Sequence, residues 1–200
     1  MTASLNKILH HVQGKYVARV DGDDYWTNTD KLSDQESFLS SNADYSMVGT
    51  WGNAVSENGN FLFAIKYPSE NFQIKKCFLR ENPFITSSVL IRNKDLQKVG
   101  FFDTKYKTTQ DYDLWMRLGR NGKLHNIPKF MVNYRINPNG ISQTKYLLQT
   151  DNALRIIKEN RKYYPDYEKA YILWNLRKYY PYWLKGKLSM EIKDMFKMFS

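Results

Sequence analysis

Three carboxylates stand within four residues, at Asp21, Asp23 and Asp24, directly after the apolar segment at residues 16–20. That segment has the pattern of a short buried strand, so the carboxylates are predicted to lie where the strand ends. Mg²⁺ and Mn²⁺ prefer oxygen ligands, and two aspartates separated by one residue can direct both carboxylates toward one cation. A solvated turn is the alternative, because Asp-Gly is also a common turn sequence. The spacing alone leaves both interpretations open.

A second acidic pair, Asp111 and Asp113, stands near the start of a predicted helix in the segment TTQDYDLWMRL. The helix dipole favours carboxylates there, so capping of the helix is one interpretation. The other is that Asp111 acts as a general base, which requires it to face a pocket and reach a substrate hydroxyl. Asp111 and Asp113 lie on different sides of a helix, so at most one of them is predicted to enter a shared cavity.

Alternating helices and strands are predicted to position these carboxylates. Periodicity and turn residues predict, in order, a helix over residues 3–12, a strand over 16–20, a helix over 30–39, a hairpin from 45–56 to 61–68, a strand over 84–92, a short helix over 93–100, a helix over 108–123, one or two short strands over 123–136, and helices from residue 142 onward. Asn58-Gly59 predicts a type I′ turn in the hairpin, because both residues tolerate positive φ. This order indicates an α/β fold with mixed strand directions.

The composition of the 200-residue chain indicates a folded protein, since 42% of the residues are hydrophobic and 16% are aromatic. The single cysteine, Cys77, allows no internal disulfide bond and favours a reducing compartment. No apolar run approaches the ~20 residues that cross a bilayer. The amino terminus lacks the apolar core of a signal peptide. A cytoplasmic location is therefore expected.

An ordered series of motifs resembles glycosyltransferase family 2, the inverting GT-A enzymes that use nucleotide sugars. The series runs over residues 2–142 and consists of LNKILHHVQGKYVARVDGDDYW, DKLSDQESFL, ENPFITSSVLIRNKDLQKVGFFD, TQDYDLWMRLGRNGKLHNIP and VNYRINPNGIS. The resemblance implies an α/β fold: an incomplete GT-A, Rossmann-like mixed sheet flanked by helices, with a helical C-terminal extension. It also implies a divalent metal, Mn²⁺ or Mg²⁺, and a nucleotide-sugar donor.

The resemblance assigns roles to the acidic residues. Asp23 falls on the direct metal ligand, and Asp21 on a position that touches the ribose of the nucleotide or reaches the metal through water. Asp24 is commonly acidic in such sequences and is expected to contribute to substrate binding. Asp111 falls on the catalytic base, which takes the proton from an acceptor hydroxyl. Gln110 stands beside it, where the family often has Glu.

Two further residues are assigned to substrate binding. Arg135 lies on a segment that runs close to the diphosphate in such enzymes, and a guanidinium suits phosphate oxygens; a salt bridge at the edge of the core is the alternative. Ser87 is expected to touch the acceptor. Family members often have His where Thr86 and Asn137 stand, so a metal or phosphate contact from His is not expected at the second position.

The resemblance begins part-way through the family pattern. Family members start with a strand of the type SVIIPVYN and two further βα units that hold the base and ribose, whereas this chain starts at the helix before the metal strand. Two domains are expected: an N-terminally truncated GT-A-like domain over residues 1–142 and a basic, aromatic-rich helical extension over 143–200. The strand at 16–20 would be a central parallel strand that lacks neighbours and exposes a backbone edge.

The extension carries a dense positive charge. The chain has a net charge of +10, and residues 150–200 hold 11 basic and 6 acidic residues. Aromatic residues interleaved with lysines are typical of a helix that lies on an anionic membrane. The alternative is a helical cap in which Ile172, Leu173 and Leu176 pack on the domain while the lysines stay hydrated. Nucleic-acid binding is not expected, because the helix face explains the aromatic residues.

Together these features predict transfer of a sugar from a nucleotide-sugar donor to a glycan or lipid-linked acceptor, with inversion, in surface polysaccharide or lipopolysaccharide synthesis. A cytoplasmic protein with peripheral contact to the inner face of the cytoplasmic membrane is expected. The alternative is a non-catalytic protein, either a truncated remnant or a partner subunit that binds membrane or acceptor through its basic tail.

Overall fold

A mixed β-sheet lies at the centre of the structure. The computed structural model describes residues 2–137, 140 and 144–179. The strands within these residues are β1 (Tyr16–Ala18), β2 (Tyr25–Trp26), β3 (Tyr45–Val55), β4 (Phe61–Ile65), β5 (Leu90–Arg92) and β6 (Lys123–Arg135). They form one sheet in the order β1-β5-β3-β6-β2, and β4 pairs with β3 outside this path.

Helices cover both faces of the sheet. They are α1 (Thr2–His10), α2 (Lys31–Ser41), α3 (Asn71–Cys77), α4 (Asn93–Val99), α5 (Gln110–Asn121), α6 (Tyr146–Asn160) and α7 (Tyr167–Tyr179), with a short 3₁₀ helix at Thr86–Ser88. Met47 and Val48 are adjacent on β3, so their side chains point to opposite faces. Met47 joins the main core with Leu114 of α5, whereas Val48 packs in a second cluster with Leu39 of α2. The predicted α/β class with mixed strand directions is confirmed.

The Asn58-Gly59 hairpin connects β3 and β4 as predicted, but through a longer turn. Gly59 has a φ of +82°, whereas Asn58 is outside the positive-φ region. The turn is closed by the Ser56 N–H donating to the Asn60 carbonyl at 2.8 Å and by the Gly59 N–H donating to the Ser56 carbonyl at 2.9 Å. The predicted type I′ turn, which needs positive φ at both central residues, is therefore wrong.

β6 is one continuous strand of 13 residues where one or two short strands were predicted. It pairs in parallel with β3 over most of its length. The register shifts between the pairs Thr50–Ile127 and Trp51–Phe130, so Pro128 lies in a bulge. Proline has no N–H to donate and is tolerated at such a position. The long pairing carries the end of β6 beside β2, which it contacts in antiparallel register.

The strands that flank the first carboxylates are shorter than predicted. β1 ends at Ala18 rather than at residue 20, and the segment 84–92 divides into the 3₁₀ helix and β5 rather than forming one buried strand. β1 pairs antiparallel with β5 and lies at the end of the sheet. It has no second strand neighbour among the residues that the structure describes, so it is an edge strand rather than a central parallel one.

Helix α6 and the start of α7 pack into the main core. Ala153, Ile156 and Ile157 of α6 and Ala170 of α7 are buried in the same cluster as α5. Each buried isoleucine contributes about 1.5–3 kcal/mol through the hydrophobic effect. The described part of the predicted extension, residues 144–179, is therefore built into the core that it was expected to adjoin.

Helix α7 packs through a different face from the one predicted. Trp174 lies against the core, whereas Ile172 and Leu176 are 57% and 38% exposed. The alternative in which Ile172 and Leu176 cap the domain is therefore wrong for these two residues, while Leu173 is half-buried. The rest of the predicted extension, residues 180–200, lies outside the described residues. Within the described ranges, no helix is both long and apolar enough to span a membrane.

Candidate active site

The loop between β1 and β2 is held in place by Asp24. Its Oδ2 accepts a hydrogen bond from the Ser87 hydroxyl, and its Oδ1 accepts one from the Arg135 N–H at 2.8 Å. Burial raises the pKa of Asp24, against the effect of these two hydrogen bonds, and the neighbouring charges of Asp23 and Asp21 raise it further. Both oxygens of Asp24 therefore have structural partners, and they tie the loop to the 3₁₀ helix and to β6.

Asp21 and Asp23 differ in their surroundings. Asp21 Oδ1 accepts a hydrogen bond from Arg19 Nη2 at 2.9 Å, and the Asp21 N–H donates to Ser87 Oγ at 3.0 Å. Asp23 is exposed, and its carboxylate has no hydrogen-bond or ion-pair partner within residues 2–137, 140 and 144–179. A Cβ atom on Gly22 would meet no atom within 4 Å, so the space beside the loop is open. Asp23 is therefore the carboxylate of this loop that has both oxygens available to a ligand.

The Arg135 side chain joins this loop to the β3–β4 hairpin. Its Nε donates to the Asp23 carbonyl at 3.0 Å, and its Nη1 donates to the Ser56 carbonyl at 3.3 Å and to the Glu57 carbonyl. The guanidinium lies 5.6 Å from the centroid of the Tyr25 ring. Arg135 thus lies beside Asp23 while its donors serve backbone oxygens. Its contact with a diphosphate stays a prediction.

Ser87 is fully buried beneath the loop. Besides its bonds to Asp24 and to the Asp21 N–H, its carbonyl accepts a hydrogen bond from Trp26 Nε1 at 2.8 Å. A hydroxyl with these partners and no exposed surface cannot also touch an acceptor. The contact that the resemblance implied for Ser87 is replaced by a supporting role under the carboxylates.

Asp111 lies in the first turn of α5, as predicted. Its Oδ2 accepts a hydrogen bond from Thr86 Oγ1 at 2.5 Å and a longer one from Asn82 Nδ2 at 3.4 Å. Its Oδ1 accepts no hydrogen bond from the described residues. The preceding residue, Gln110, is buried, and its Oε1 has no hydrogen-bond partner in that same part of the chain. Asp111 is half-buried, with Oδ2 held by two hydrogen bonds and Oδ1 accepting none from the described residues.

Asp113 has a structural role instead. Its Oδ2 accepts a hydrogen bond from Arg117 Nε at 2.9 Å and lies 2.8 Å from Arg117 Nη2 in an ion pair. Arg117 also donates to the carbonyls of Val99, Gly100 and Phe101, which close the end of α4. Burial raises the pKa of Asp113, and the Arg117 charge opposes this effect. The two carboxylates therefore point to different surroundings, and Asp111 alone of the pair faces Thr86.

The sequence matches a known protein family, since the family model described as "Glycosyltransferase like family 2" covers residues 1–152. The chain belongs to glycosyltransferase family 2. An uncharacterized glycosyltransferase of Methanocaldococcus jannaschii is 33% identical over 163 residues, which cover 80% of this chain and 52% of the relative. The O-antigen biosynthesis glycosyltransferase WbnJ of Escherichia coli is 28% identical over 144 residues, which cover 68% of this chain and 53% of WbnJ. This family 2 chain spans about half the length of the curated relatives it matches.

Solved structures share the fold of this family 2 glycosyltransferase. The crystal structure of Staphylococcus aureus TarS 1–349 superposes with a TM-score of 0.57 at 16% identity and covers 88% of this chain and 50% of that chain. The mannosyltransferase PcManGT of Pyrobaculum calidifontis, in complex with GDP-Man and Mn²⁺, superposes with a TM-score of 0.58 at 13% identity. The match covers 90% of this chain and 48% of that chain. The predicted GT-A fold is therefore confirmed.

The loop carboxylates of the family 2 chain fit a divalent cation such as Mg²⁺ or Mn²⁺. Such ions often take one or two protein carboxylates and fill their other positions with water and substrate phosphates. Asp23 offers both oxygens, and Asp21 offers Oδ2, which accepts no hydrogen bond from the described residues. Within the described part of the chain, no three His, Cys, Asp or Glu side chains group together as a metal site. A cation at this loop would therefore need water or substrate oxygens to complete its coordination.

Sequence reasoning missed three residues that support the site. Thr86 and Asn82 hold Asp111, and neither stands in a motif that marks it as a carboxylate partner. Lys31 of α2 is almost fully buried, donates to Gln35 Oε1 at 2.7 Å, and lies 4.3 Å from the centroid of the Trp26 ring. A lysine at the start of a helix is normally solvent-exposed, so the sequence does not indicate that Lys31 is buried.

Proposed function

We propose that this chain carries the catalytic base and the metal-binding carboxylates of an inverting glycosyltransferase. It would transfer a sugar from a nucleotide-sugar donor to a hydroxyl of a glycan or lipid-linked acceptor. The observation that carries the proposal is that Asp111 and Asp24 accept hydrogen bonds from adjacent residues of one 3₁₀ helix. Thr86 holds Asp111 and Ser87 holds Asp24, so the predicted base and the predicted metal loop share one rigid support.

The geometry of Asp111 suits a general base. Thr86 and Asn82 both donate hydrogen bonds to Oδ2, which fixes the carboxylate. Oδ1 is left to accept a hydrogen bond from the hydroxyl of the sugar acceptor. Asp111 would take the proton as the acceptor oxygen forms a bond to the anomeric carbon of the sugar. The bond between that carbon and the diphosphate oxygen breaks in the same displacement, and the nucleoside diphosphate leaves. A single displacement from the opposite side inverts the configuration.

The DGDD loop, residues 21–24, would hold the donor diphosphate. Asp23 would bind a divalent cation directly, with Asp21 as a second ligand or as a contact to the ribose. A bound cation would neutralise the negative charge that develops on the departing diphosphate. Arg135, whose guanidinium lies beside Asp23, is one nearby cationic side chain and would add to the positive field. Support comes from two structural neighbours, one solved with GDP-Man and Mn²⁺ and one with UDP.

Surface polysaccharide or lipopolysaccharide synthesis is the proposed setting. A relative of 28% identity is named for O-antigen biosynthesis, which supports a glycan acceptor of this kind. Contact with the inner face of the cytoplasmic membrane is part of the same proposal. Ile172 and Leu176 lie one turn apart on α7 and are exposed, as is Lys169 nearby. A helix face that combines exposed apolar and basic residues suits an anionic membrane surface.

Metal-dependent turnover of a donor tests the proposed function. The purified chain is incubated with a panel of UDP-sugars and GDP-sugars, with Mn²⁺ or with EDTA, and released nucleoside diphosphate is measured. Release by the wild-type chain with one donor, only in the presence of Mn²⁺, is expected. The Asp111→Asn variant serves as the matched inactive control. If folded wild-type protein releases no nucleoside diphosphate from any donor, the non-catalytic alternative replaces the proposal.

A further inference from the structure

The C-terminal helices contact both backbone segments that surround Asp111. One segment, residues 108–110, leads into α5 and sets the backbone position from which the Asp111 side chain extends. The other, residues 79–82, supplies Asn82, which donates a hydrogen bond to Asp111 Oδ2. A side chain of α6 hydrogen-bonds to the backbone of the first segment, and side chains of α7 hydrogen-bond to the backbone of the second. Asp111 is thus bounded on two sides by contacts from a part of the chain that follows it by 40 residues or more.

The first contact comes from Asn152 of α6. Its Nδ2 donates to the Thr108 carbonyl at 3.1 Å and lies 3.0 Å from Thr108 Oγ1, and both residues are buried. Thr109, the next residue, has a φ of +62°. β-Branched residues rarely adopt this left-handed region, and they persist in it only where the surroundings hold the backbone. The hydrogen bond from Asn152 holds the backbone at Thr108, which is one residue before Thr109 and three residues before Asp111.

The second contact comes from α7. Trp174 Nε1 donates to the Leu79 carbonyl at 2.9 Å, and Arg177 Nη1 donates to the Arg80 carbonyl at 2.8 Å. These carbonyls come shortly before Asn82 in the chain. Trp174 and Arg177 lie beyond residues 1–152, to which the family match extends. The support for the Asn82 segment therefore comes from residues outside that match.

We propose that Asn152 and Trp174 are positioning residues that fix the Asp111 carboxylate in its contact with Thr86. Asn152 holds the turn that starts α5, and Trp174 holds the segment that carries Asn82. The inference rests on the proposed function, in which Asp111 is the base. Removal of either hydrogen bond allows one of the two backbone segments beside the Asp111 carboxylate to shift. A shift of the base by about 1 Å is enough to lower turnover by up to ~100-fold without loss of donor binding.

Two variants and one matched control test the proposal in the full chain. Trp174→Phe and Asn152→Ala each remove a donor that faces the Asp111 segments. Tyr164→Phe removes a different buried hydrogen bond from the C-terminal part, the one from its hydroxyl to the Met116 carbonyl at 2.7 Å. The readouts are kcat and KM for donor turnover and the ¹³C resonance of the Asp111 carboxyl carbon at constant pH.

The expected result is a shift of the Asp111 resonance and a fall in kcat of ~10-fold or more in Trp174→Phe and Asn152→Ala, with donor KM unchanged. Tyr164→Phe should lower the stability of the protein but leave kcat and the Asp111 resonance unchanged. An unmoved Asp111 resonance in folded Trp174→Phe protein overturns the proposal, whatever happens to stability. If the wild-type chain shows no turnover, the proposed function fails, and the resonance still decides whether these residues position Asp111.

Discussion

The hydroxyl of Ser87 donates a hydrogen bond to the carboxylate of Asp24, 63 residues earlier in the chain. Thr86, the residue before it, donates one to Asp111 at 2.5 Å. Two adjacent residues of one 3₁₀ helix therefore connect the loop after β1 with the start of α5. Neither carboxylate is positioned by its own strand or helix alone. The support lies between them, on the segment that leads into β5.

Asp111→Asn is expected to abolish sugar transfer and spare donor binding. The amide keeps the shape of the carboxylate but cannot take the acceptor proton, so kcat should fall by about 10²–10⁴-fold. Asp113→Asn is the matched control, because Asp113 pairs with Arg117 and should affect stability rather than transfer. Steady-state assays of donor turnover measure both. A fully active Asp111→Asn variant would retire Asp111 as the base.

Asp24→Ala and Asp23→Ala should separate a structural from a ligand-binding carboxylate. The first leaves the Ser87 hydroxyl and the Arg135 N–H without their acceptor, so the free energy of unfolding should fall by about 1–3 kcal/mol. The second removes an exposed side chain and should change it by less than about 0.5 kcal/mol. Urea unfolding curves measure both values. Equal losses in the two variants would contradict the assignment of Asp24 as the residue that holds the loop.

The elements that the sequence predicts correctly depend on local signals. α5 has apolar residues at helical spacing, Gly100 ends α4 with a φ of +77°, and Gly59 marks the hairpin. The errors arise where distant contacts decide. β6 continues through Pro128 because β3 pairs with it on both sides of the bulge, which no property of residues 123–136 reveals.

The candidate site shows the same division between local and distant contacts. The place of Asp111 in the first turn of α5 was predicted from local sequence, whereas Ser87 was assigned to the acceptor and is buried under the loop. Its environment is created by residues more than 60 positions away. On α7 the packed stripe contains Ala170, Trp174 and the cationic Arg177, so hydrophobicity alone pointed to the wrong face.

Lys31→Met should raise stability in a pH-dependent way. Burial lowers the pKa of Lys31 from 10.5 to about 7 in the folded protein. Between these values the unfolded chain binds a proton that the folded chain does not, so wild-type stability falls as the pH falls toward 7 and stays low below it. The advantage of Lys31→Met in the free energy of unfolding should therefore be largest at pH 7 and below. It should shrink by about 2–4 kcal/mol as the pH approaches 10.

Lys129→Met is the control for this pH dependence. Lys129 is exposed, and its Nζ lies 2.7 Å from Asp34 Oδ2, which raises its pKa. Its removal should not produce a stability gain that grows as the pH falls from 10 to 7. Denaturant unfolding at several pH values compares the two variants. A difference between Lys31→Met and wild type that is constant with pH would show that Lys31 is charged throughout.

The Ile172→Glu/Leu176→Glu double variant should release the chain from anionic vesicles. Truncation after residue 166 is a poorer test, because Ala170 and Trp174 pack in the core and their loss would disturb the fold. Flotation with phosphatidylglycerol-containing vesicles, compared with phosphatidylcholine alone, measures binding. Phe72→Glu on α3, which replaces another exposed apolar residue, should leave vesicle binding unchanged. Undiminished flotation of the double variant would remove α7 as the membrane contact.

Calorimetric titration of UDP and of GDP into the purified chain, with Mn²⁺ and with EDTA, tests the central claim most directly. The claim is that the loop at residues 21–24 holds a nucleoside diphosphate through a cation at Asp23. Binding of one nucleotide that requires Mn²⁺ and disappears in Asp23→Ala is the predicted result. Absence of Mn²⁺-dependent binding to the folded chain, or binding that Asp23→Ala leaves unchanged, would contradict it.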